Sequence, residues 1–124
     1  QYDRALKLYE KALSIIENLY QQNPERWAGD YATILSNLAG AYMNLNQYDR
    51  ALELYEKALS IRESLYQQNT EIWAVYYVAT LNHLALTYSD LNQYDRALKL
   101  YEKALSIIEN LYQQNPEIWA GCCV

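Results

Sequence analysis

Several features of membrane, nucleotide-binding and metal-binding proteins are missing from this sequence. No stretch approaches 18 apolar residues, so we expect no segment to span a membrane, and no secretory signal opens the chain. The glycines Gly29, Gly40 and Gly121 stand apart, which excludes a glycine-rich phosphate loop. The cysteines Cys122 and Cys123 form no CxxC or Cys/His spacing, so we predict neither a metal site nor a disulfide framework.

The two cysteines stand side by side in the last three residues of the sequence. We interpret them as ordinary free thiols, with a crosslink between chains as the alternative. A reduced, cytoplasmic setting fits this usage best. No pattern in the sequence implies a cofactor.

Positive charge is in short supply, because 10 Lys and Arg face 15 Asp and Glu for a net charge of -5. An acidic chain repels phosphate backbones, so nucleic acid is not an expected partner. With 52% hydrophobic and 20% charged residues, the composition is that of a globular chain. Phenylalanine is absent and tyrosine occurs 14 times, which suits positions half in a core and half at a surface.

What the sequence does contain is an internal repeat with a period of 46 residues. The segment 1–6 recurs at 47–52 and 93–98, residues 1–25 are identical to residues 93–117, and Trp27, Trp73 and Trp119 keep the same spacing. Such a period predicts one structural unit copied along an axis, and we interpret the tryptophans as packing between helices. We therefore predict a single array: a half repeat at 1–23, repeats at 24–69 and 70–115, and the start of a further repeat at 116–124.

Each unit is predicted to hold two amphipathic helices. From Ala51 to Leu65 the apolar residues follow three- and four-residue steps. The segments 23–25 and 115–117 read Asn-Pro-Glu, which supplies an N-cap, a proline at the first helical position and an acid in the first turn. Asn92 tolerates the left-handed conformation that ends helices. These signals predict five helices over about 2–21, 24–45, 48–67, 70–91 and 94–113, and a sixth that opens at Pro116.

A motif of small and large residues recurs on both helices of each unit. It reads Leu35-x-x-Leu38-Ala39-x-x-Tyr42, then Tyr48-x-x-Ala51-x-x-x-Tyr55-x-x-Ala58, and returns from Leu81 to Ala104. This motif resembles the tetratricopeptide repeat family across essentially the whole chain. The resemblance implies an all-α fold, a right-handed superhelical stack of antiparallel helix hairpins called an α-solenoid. The unit is longer than the family's usual unit of about 34 residues, and it is most similar to a kinesin-light-chain-like, bacterial variant with long helices.

The resemblance also implies that the first helix of each repeat lines a concave groove. The residues between its core positions form a polar, small and nearly uncharged strip, and asparagine amides in it can hold the backbone of an extended peptide. We therefore expect a protein or peptide partner in the groove, although single Asn and Ser residues on a helix are often only solvated. The candidate residues are Thr33, Ser36, Asn37, Gly40, Met43, Asn44, Ala79, Asn82, His83, Leu86, Ser89 and Asp90.

Two more specific functions are not expected. Some members of the family clamp an acidic tail with Lys, Arg and Asn, but Ala79 and His83 stand where the basic residues would be needed. His83 is the only histidine, and no Ser, Cys or carboxylate pair is placed so as to form a catalytic group with it. The recurring glutamates, such as Glu10 and Glu56, mark scaffold positions. We therefore predict a binding protein, with no catalytic residue.

The ends of the array suggest an alternative function. The sequence has no initiator Met and begins inside a repeat, so we expect it to be part of a longer chain. Repeat arrays normally need polar capping helices, and without one the first helix is predicted to show an apolar face around Leu6, Leu13 and Ile16. Head-to-tail stacking with other chains, or with further repeats of a longer protein, is therefore the second reading.

Overall fold

The computed structural model describes residues 2–119 of the chain and the side chains of residues 3–117. Its elements are α1 (Tyr2–Gln22), α2 (Pro24–Asn44), α3 (Tyr48–Gln68), α4 (Thr70–Asp90), α5 (Tyr94–Gln114) and α6 (Pro116–Trp119). No strand occurs between residues 2 and 119, so the predicted all-α repeat stack is confirmed. Each predicted helix end lies within one residue of the observed end. Cys122 and Cys123 lie outside the described residues.

Asparagine side chains start the first helix of both full repeats. The Asn23 side chain accepts a hydrogen bond from the backbone N–H of Arg26 at 3.4 Å, and Asn69 accepts one from the N–H of Ile72 at 3.2 Å. Each bond satisfies one of the N–H groups that the first helical turn leaves without a partner. Such a cap contributes about 1 kcal/mol, which helps to fix where α2 and α4 begin.

A left-handed asparagine ends each first helix and reverses the chain. Asn46 has φ 59° and Asn92 has φ 63°, and both lie in the two-residue turns that follow α2 and α4. The backbone N–H of Gln47 then donates to the carbonyl of Tyr42 at 2.9 Å, which satisfies one of the last carbonyls of α2. The sharp turn makes the next helix antiparallel and places it directly against the one before.

Each helix packs on the helix that precedes it and the helix that follows it in the chain. The contact positions are occupied by small residues with no exposed surface, so that neighbouring helix backbones approach closely. Tyrosines and leucines such as Leu35, Tyr42 and Tyr55 fill the space around them and are buried. The fully buried alanines are Ala32, Ala39, Ala51, Ala58, Ala74 and Ala85.

The first helices of neighbouring repeats also approach each other, and glycine allows a close contact at one point. A Cβ atom on Gly29 of α2 would lie 2.7 Å from Cη2 of Trp73 on α4. Trp73 is half-buried at this contact, as expected for a residue that packs between helices. The side chain of Trp119, the third of the repeating tryptophans, lies outside the described part of the chain.

The apolar face of α1 differs from the prediction. Ile16 is only 5% exposed and belongs to a buried cluster with α2, while Leu6 and Leu13 are half-buried. The exposed apolar residues are instead Leu8 at 64% and Ile15 at 54%. The prediction was wrong because the apolar stripe is wide, and α2 covers the part of it that includes Ile16. Leu8 and Ile15 belong to the part of the stripe that α2 does not cover.

Candidate functional site

The predicted groove residues lie on α2 and α4, and none of the twelve is buried. Seven of the twelve line a single cleft of about 580 Å³ that extends over the second half of α2. This volume falls within the range of ligand-binding clefts, about 300–1,000 Å³. The seven are Ser36, Asn37, Gly40, Met43, Asn44, His83 and Leu86.

The other five predicted residues lie elsewhere on the same two helices. Ala79 and Asn82 line a second, smaller cleft of about 220 Å³ between α4 and α5. Thr33 lies one turn before Ser36 and accepts a hydrogen bond from an arginine of α3. Ser89 and Asp90, at the end of α4, line neither cleft.

Sequence reasoning missed the residues that close the cleft from the second helices. Ala5 and Tyr9 of α1 and Tyr55 of α3 line it together with Ala41 and Thr87 of the first helices. Tyr9 and Tyr55 are equivalent positions of the repeat and therefore resemble pure scaffold in the sequence. Only the stacking of the hairpins shows that their rings also face the open space.

His83 and Ser36 give the cleft neutral polar groups. The His83 ring lies 5.8 Å from the ring of Tyr55, centroid to centroid. Partial desolvation of the ring lowers the pKa of His83, and the positive charge of Arg62 lowers it further. The imidazole is therefore neutral at pH 7 and offers one donor and one acceptor. The Oγ of Ser36 is buried without a hydrogen-bond partner among the described residues.

Arg62 of α3 is a buried cation at the seam between α2 and α4. It is 6% exposed, its Nη1 donates to Oγ1 of Thr80 at 2.7 Å, and its Nη2 donates to Oγ1 of Thr33 at 3.1 Å. Its guanidinium carbon lies 5.5 Å from the ring centre of Tyr76, a cation–π distance. Burial lowers its pKa. No carboxylate forms a salt bridge with it within residues 3–117, so two threonine hydroxyls replace the usual anionic partner.

The threonines are well suited to this role because their own protons are already used. Oγ1 of Thr80 donates to the carbonyl of Tyr76 at 2.9 Å, and Oγ1 of Thr33 donates to the carbonyl of Gly29 at 3.1 Å. Their lone pairs are therefore directed to the guanidinium. A break in the repeat could have revealed this cluster in the sequence, because isoleucine occupies the positions equivalent to Arg62 in the other two copies.

The described residues do not suggest a metal site or a membrane segment. Between residues 3 and 117, no three His, Cys, Asp or Glu side chains are grouped so as to hold a metal ion. None of the helices in the described range is both long and apolar enough to cross a membrane. What the cleft offers chemically is a set of neutral hydrogen-bonding groups beside apolar side chains.

The fold and the cleft together define a helical repeat scaffold. The model of the family described as tetratricopeptide repeat matches residues 30–110, and the chain belongs to that family, as the motifs predicted. Among solved structures, the chain is similar to BtubC (BKLC) from P. vanneervenii, with 29% sequence identity and a TM-score of 0.71. That match covers 88% of this chain and 40% of BtubC. No curated protein matches the sequence.

Proposed function

We propose that this chain binds a protein or peptide segment in the cleft formed mainly by α2 and α4. Tetratricopeptide repeats generally mediate protein–protein interactions and scaffolding. The observation that carries the proposal is that seven of the twelve predicted residues line one cleft of about 580 Å³. Asn37, Asn44 and His83 supply donors and acceptors for a peptide backbone, while Met43 and Leu86 supply apolar contact.

The setting of this interaction follows from the same features. The net charge of -5 disfavours nucleic acid and favours neutral or basic partners. We place the interaction in the cytoplasm because the two adjacent cysteines are best explained as free thiols. The proposed activity needs no cofactor and no catalytic residue, since neutral hydrogen bonds and apolar contact are sufficient for binding.

Removing the two groove amides should weaken binding. The double variant Asn37→Ala/Asn44→Ala loses two exposed hydrogen-bonding side chains of α2, both of which line the cleft. We expect the affinity to fall roughly tenfold, since each hydrogen bond contributes about 0.5–1.5 kcal/mol. The probe is a peptide selected on the wild-type chain from a random displayed library, and its dissociation constant is measured by calorimetry.

The matched control is Asn18→Ala/Asn110→Ala. These two asparagines are also exposed, but they lie on the second helices α1 and α5 and line neither of the two clefts. The control should bind like the wild type. If both double variants bind the selected peptide as well as the wild type, the groove is not the binding site.

A second function, stacking with other chains or with further repeats, is favoured by the outer face of α5. Leu98 is 58% exposed, Tyr101 39%, Leu105 55% and Tyr112 44%. The equivalent positions of α3 are buried or half-buried, because α4 covers them. A contact of this head-to-tail type can continue into longer assemblies.

Stacking between chains predicts a mass that rises with concentration. Static light scattering over a wide concentration range should show association of the wild-type chain, because burying the α5 face removes apolar surface from water. The variant Leu98→Glu/Leu105→Glu should stay monomeric, while Leu86→Glu, on the cleft side of α4, should associate as the wild type does. A monomeric mass for the wild type at all concentrations would rule out assembly between chains.

A further inference from the structure

The contact between α1 and α2 indicates which kind of helix can cover α5. The sequences of α1 and α5 are identical over 2–22 and 94–114, and the same Asn-Pro-Glu segment follows both. In the structure α1 is covered by α2, whereas the same face of α5 carries the exposed residues Leu98, Leu105 and Tyr112. A helix with the side chains of α2 therefore fits α5, because the part of the receiving surface that α5 supplies is the same residue for residue.

One position on this surface changes between copies, and its partner changes with it. Ile16 of α1 is 5% exposed, and Ile34 of α2 packs against the cluster that contains it. At the equivalent positions of the next pair, Arg62 of α3 donates to Thr80 of α4 at 2.7 Å. Two isoleucines thus belong to one apolar cluster in the first pair of helices, whereas an arginine and a threonine form a hydrogen bond in the second pair.

The helix α5, whose outer face is exposed, carries isoleucine at this position, as α1 does. Ile108 of α5 is equivalent to Arg62 and lines the cleft of about 220 Å³ between α4 and α5. Ala79, which stands in the place of Thr33, lines the same cleft and has no hydroxyl to accept from a cation. Most of the other lining residues are apolar, among them Val75, Val78 and Leu111.

We propose that the residue at positions 16, 62 and 108 selects the first helix that can follow, and that Ile108 selects one of the α2 type. The occupant of the α5 face is then the first helix of a further repeat, continuing from α6, with an aliphatic residue at the position of Ile34. A helix of the α4 type, with threonine at that position, is disfavoured. This inference rests on the proposed stacking with further repeats and is independent of binding in the groove.

The selection follows from the hydrogen bonds of the Thr80 hydroxyl. Thr80 is 0% exposed, and above Arg62 its Oγ1 accepts a hydrogen bond from the guanidinium. Above Ile108, the same hydroxyl would keep only its bond to the carbonyl one turn earlier, and it would be buried against aliphatic side chains, which costs free energy that isoleucine does not cost. An arginine below an isoleucine would be worse, because the buried charge would lose an acceptor.

Two extended chains that differ at one position test the proposal. In both, residues 1–117 are followed by a copy of residues 26–46, so that a complete first helix covers α5. One keeps isoleucine at the copied position of Ile34, and the other carries threonine there. We expect the isoleucine extension to raise the melting temperature above that of the parent chain, and the threonine extension to melt about 5 °C lower than the isoleucine one.

The rescue variant Ala79→Thr/Ile108→Arg rebuilds the α3-type surface under both extensions. The order of the melting temperatures should then reverse, with the threonine extension the more stable. Equal melting temperatures of the two extensions, or an unchanged order in the rescue variant, overturn the selection rule but leave stacking in place. If neither extension melts above the parent chain, stacking on α5 is overturned together with the rule. Helix content by circular dichroism confirms that each chain is folded.

Discussion

The variant Leu81→Ala should lose about 2–5 kcal/mol of unfolding free energy, the cost usually found for a leucine in a close-packed core. Leu81 is 0% exposed and belongs to the cluster that joins α4 to α5, with Tyr77, Ile107 and Leu111. Truncation to alanine removes its methyl groups and leaves a cavity that the helices on either side cannot collapse around. Urea unfolding followed by circular dichroism measures the loss.

The matched control lies on the same helix. Leu86 is 50% exposed and lines the cleft, so Leu86→Ala should change the unfolding free energy by about 0.5 kcal/mol or less. The two leucines therefore separate stability from binding. Equal losses in the two variants would show that α4 does not present Leu81 to α5 and Leu86 to the cleft.

Most of the fold was predictable because local sequence signals mark where each helix begins and ends. Asn23 and Asn69 cap the helices that follow them, and Asn46 and Asn92 adopt the left-handed conformation that ends α2 and α4. These signals depend on a few neighbouring residues, so the sequence alone locates each end to within one residue. The copied unit then predicts that each hairpin packs on the previous one.

The cleft was predictable only in part, because two of its sides come from distant segments. Its wall on α2 follows from helical periodicity, which places Ser36, Asn37 and Gly40 on one face. Tyr9 of α1 and Tyr55 of α3 also line it, and their positions depend on how neighbouring hairpins stack. Periodicity does not encode that stacking. The same reason explains why Ile16 was predicted to be exposed, although α2 covers it.

Arg62 shows a different limit. Its departure from the repeat was visible in the sequence, since the equivalent positions of the other copies hold Ile16 and Ile108. Its partners were not, because Thr33 lies 29 residues before it and Thr80 lies 18 residues after it, on different helices. A lone arginine in an amphipathic helix is ordinarily read as a surface residue. Only the packing of α2, α3 and α4 around it makes it a buried cation.

The variant Thr80→Val should lose about 1.5–3 kcal/mol, the cost of removing a hydrogen bond to a charged group. Valine has nearly the shape of threonine, so the change removes the acceptor 2.7 Å from Nη1 of Arg62 without opening a cavity. The guanidinium then stays buried with Thr33 as its one remaining hydrogen-bond acceptor among the described residues. Urea unfolding measures the loss against the wild-type chain.

The double variant Arg62→Ile/Thr80→Ile should recover most of that loss, because it introduces the two isoleucines that stand at the equivalent positions, where Ile34 packs against the cluster that contains Ile16. Replacing a buried charge and its partner by well-packed hydrophobic residues is often neutral or stabilising, by about 1–4 kcal/mol. Oγ1 of Thr33 keeps its bond to the Gly29 carbonyl and is exposed, so losing the arginine costs it little. If the double variant were as unstable as the sum of Arg62→Ile and Thr80→Ile, the two side chains would act independently, and the interpretation of Arg62 and Thr80 as a matched pair would be wrong.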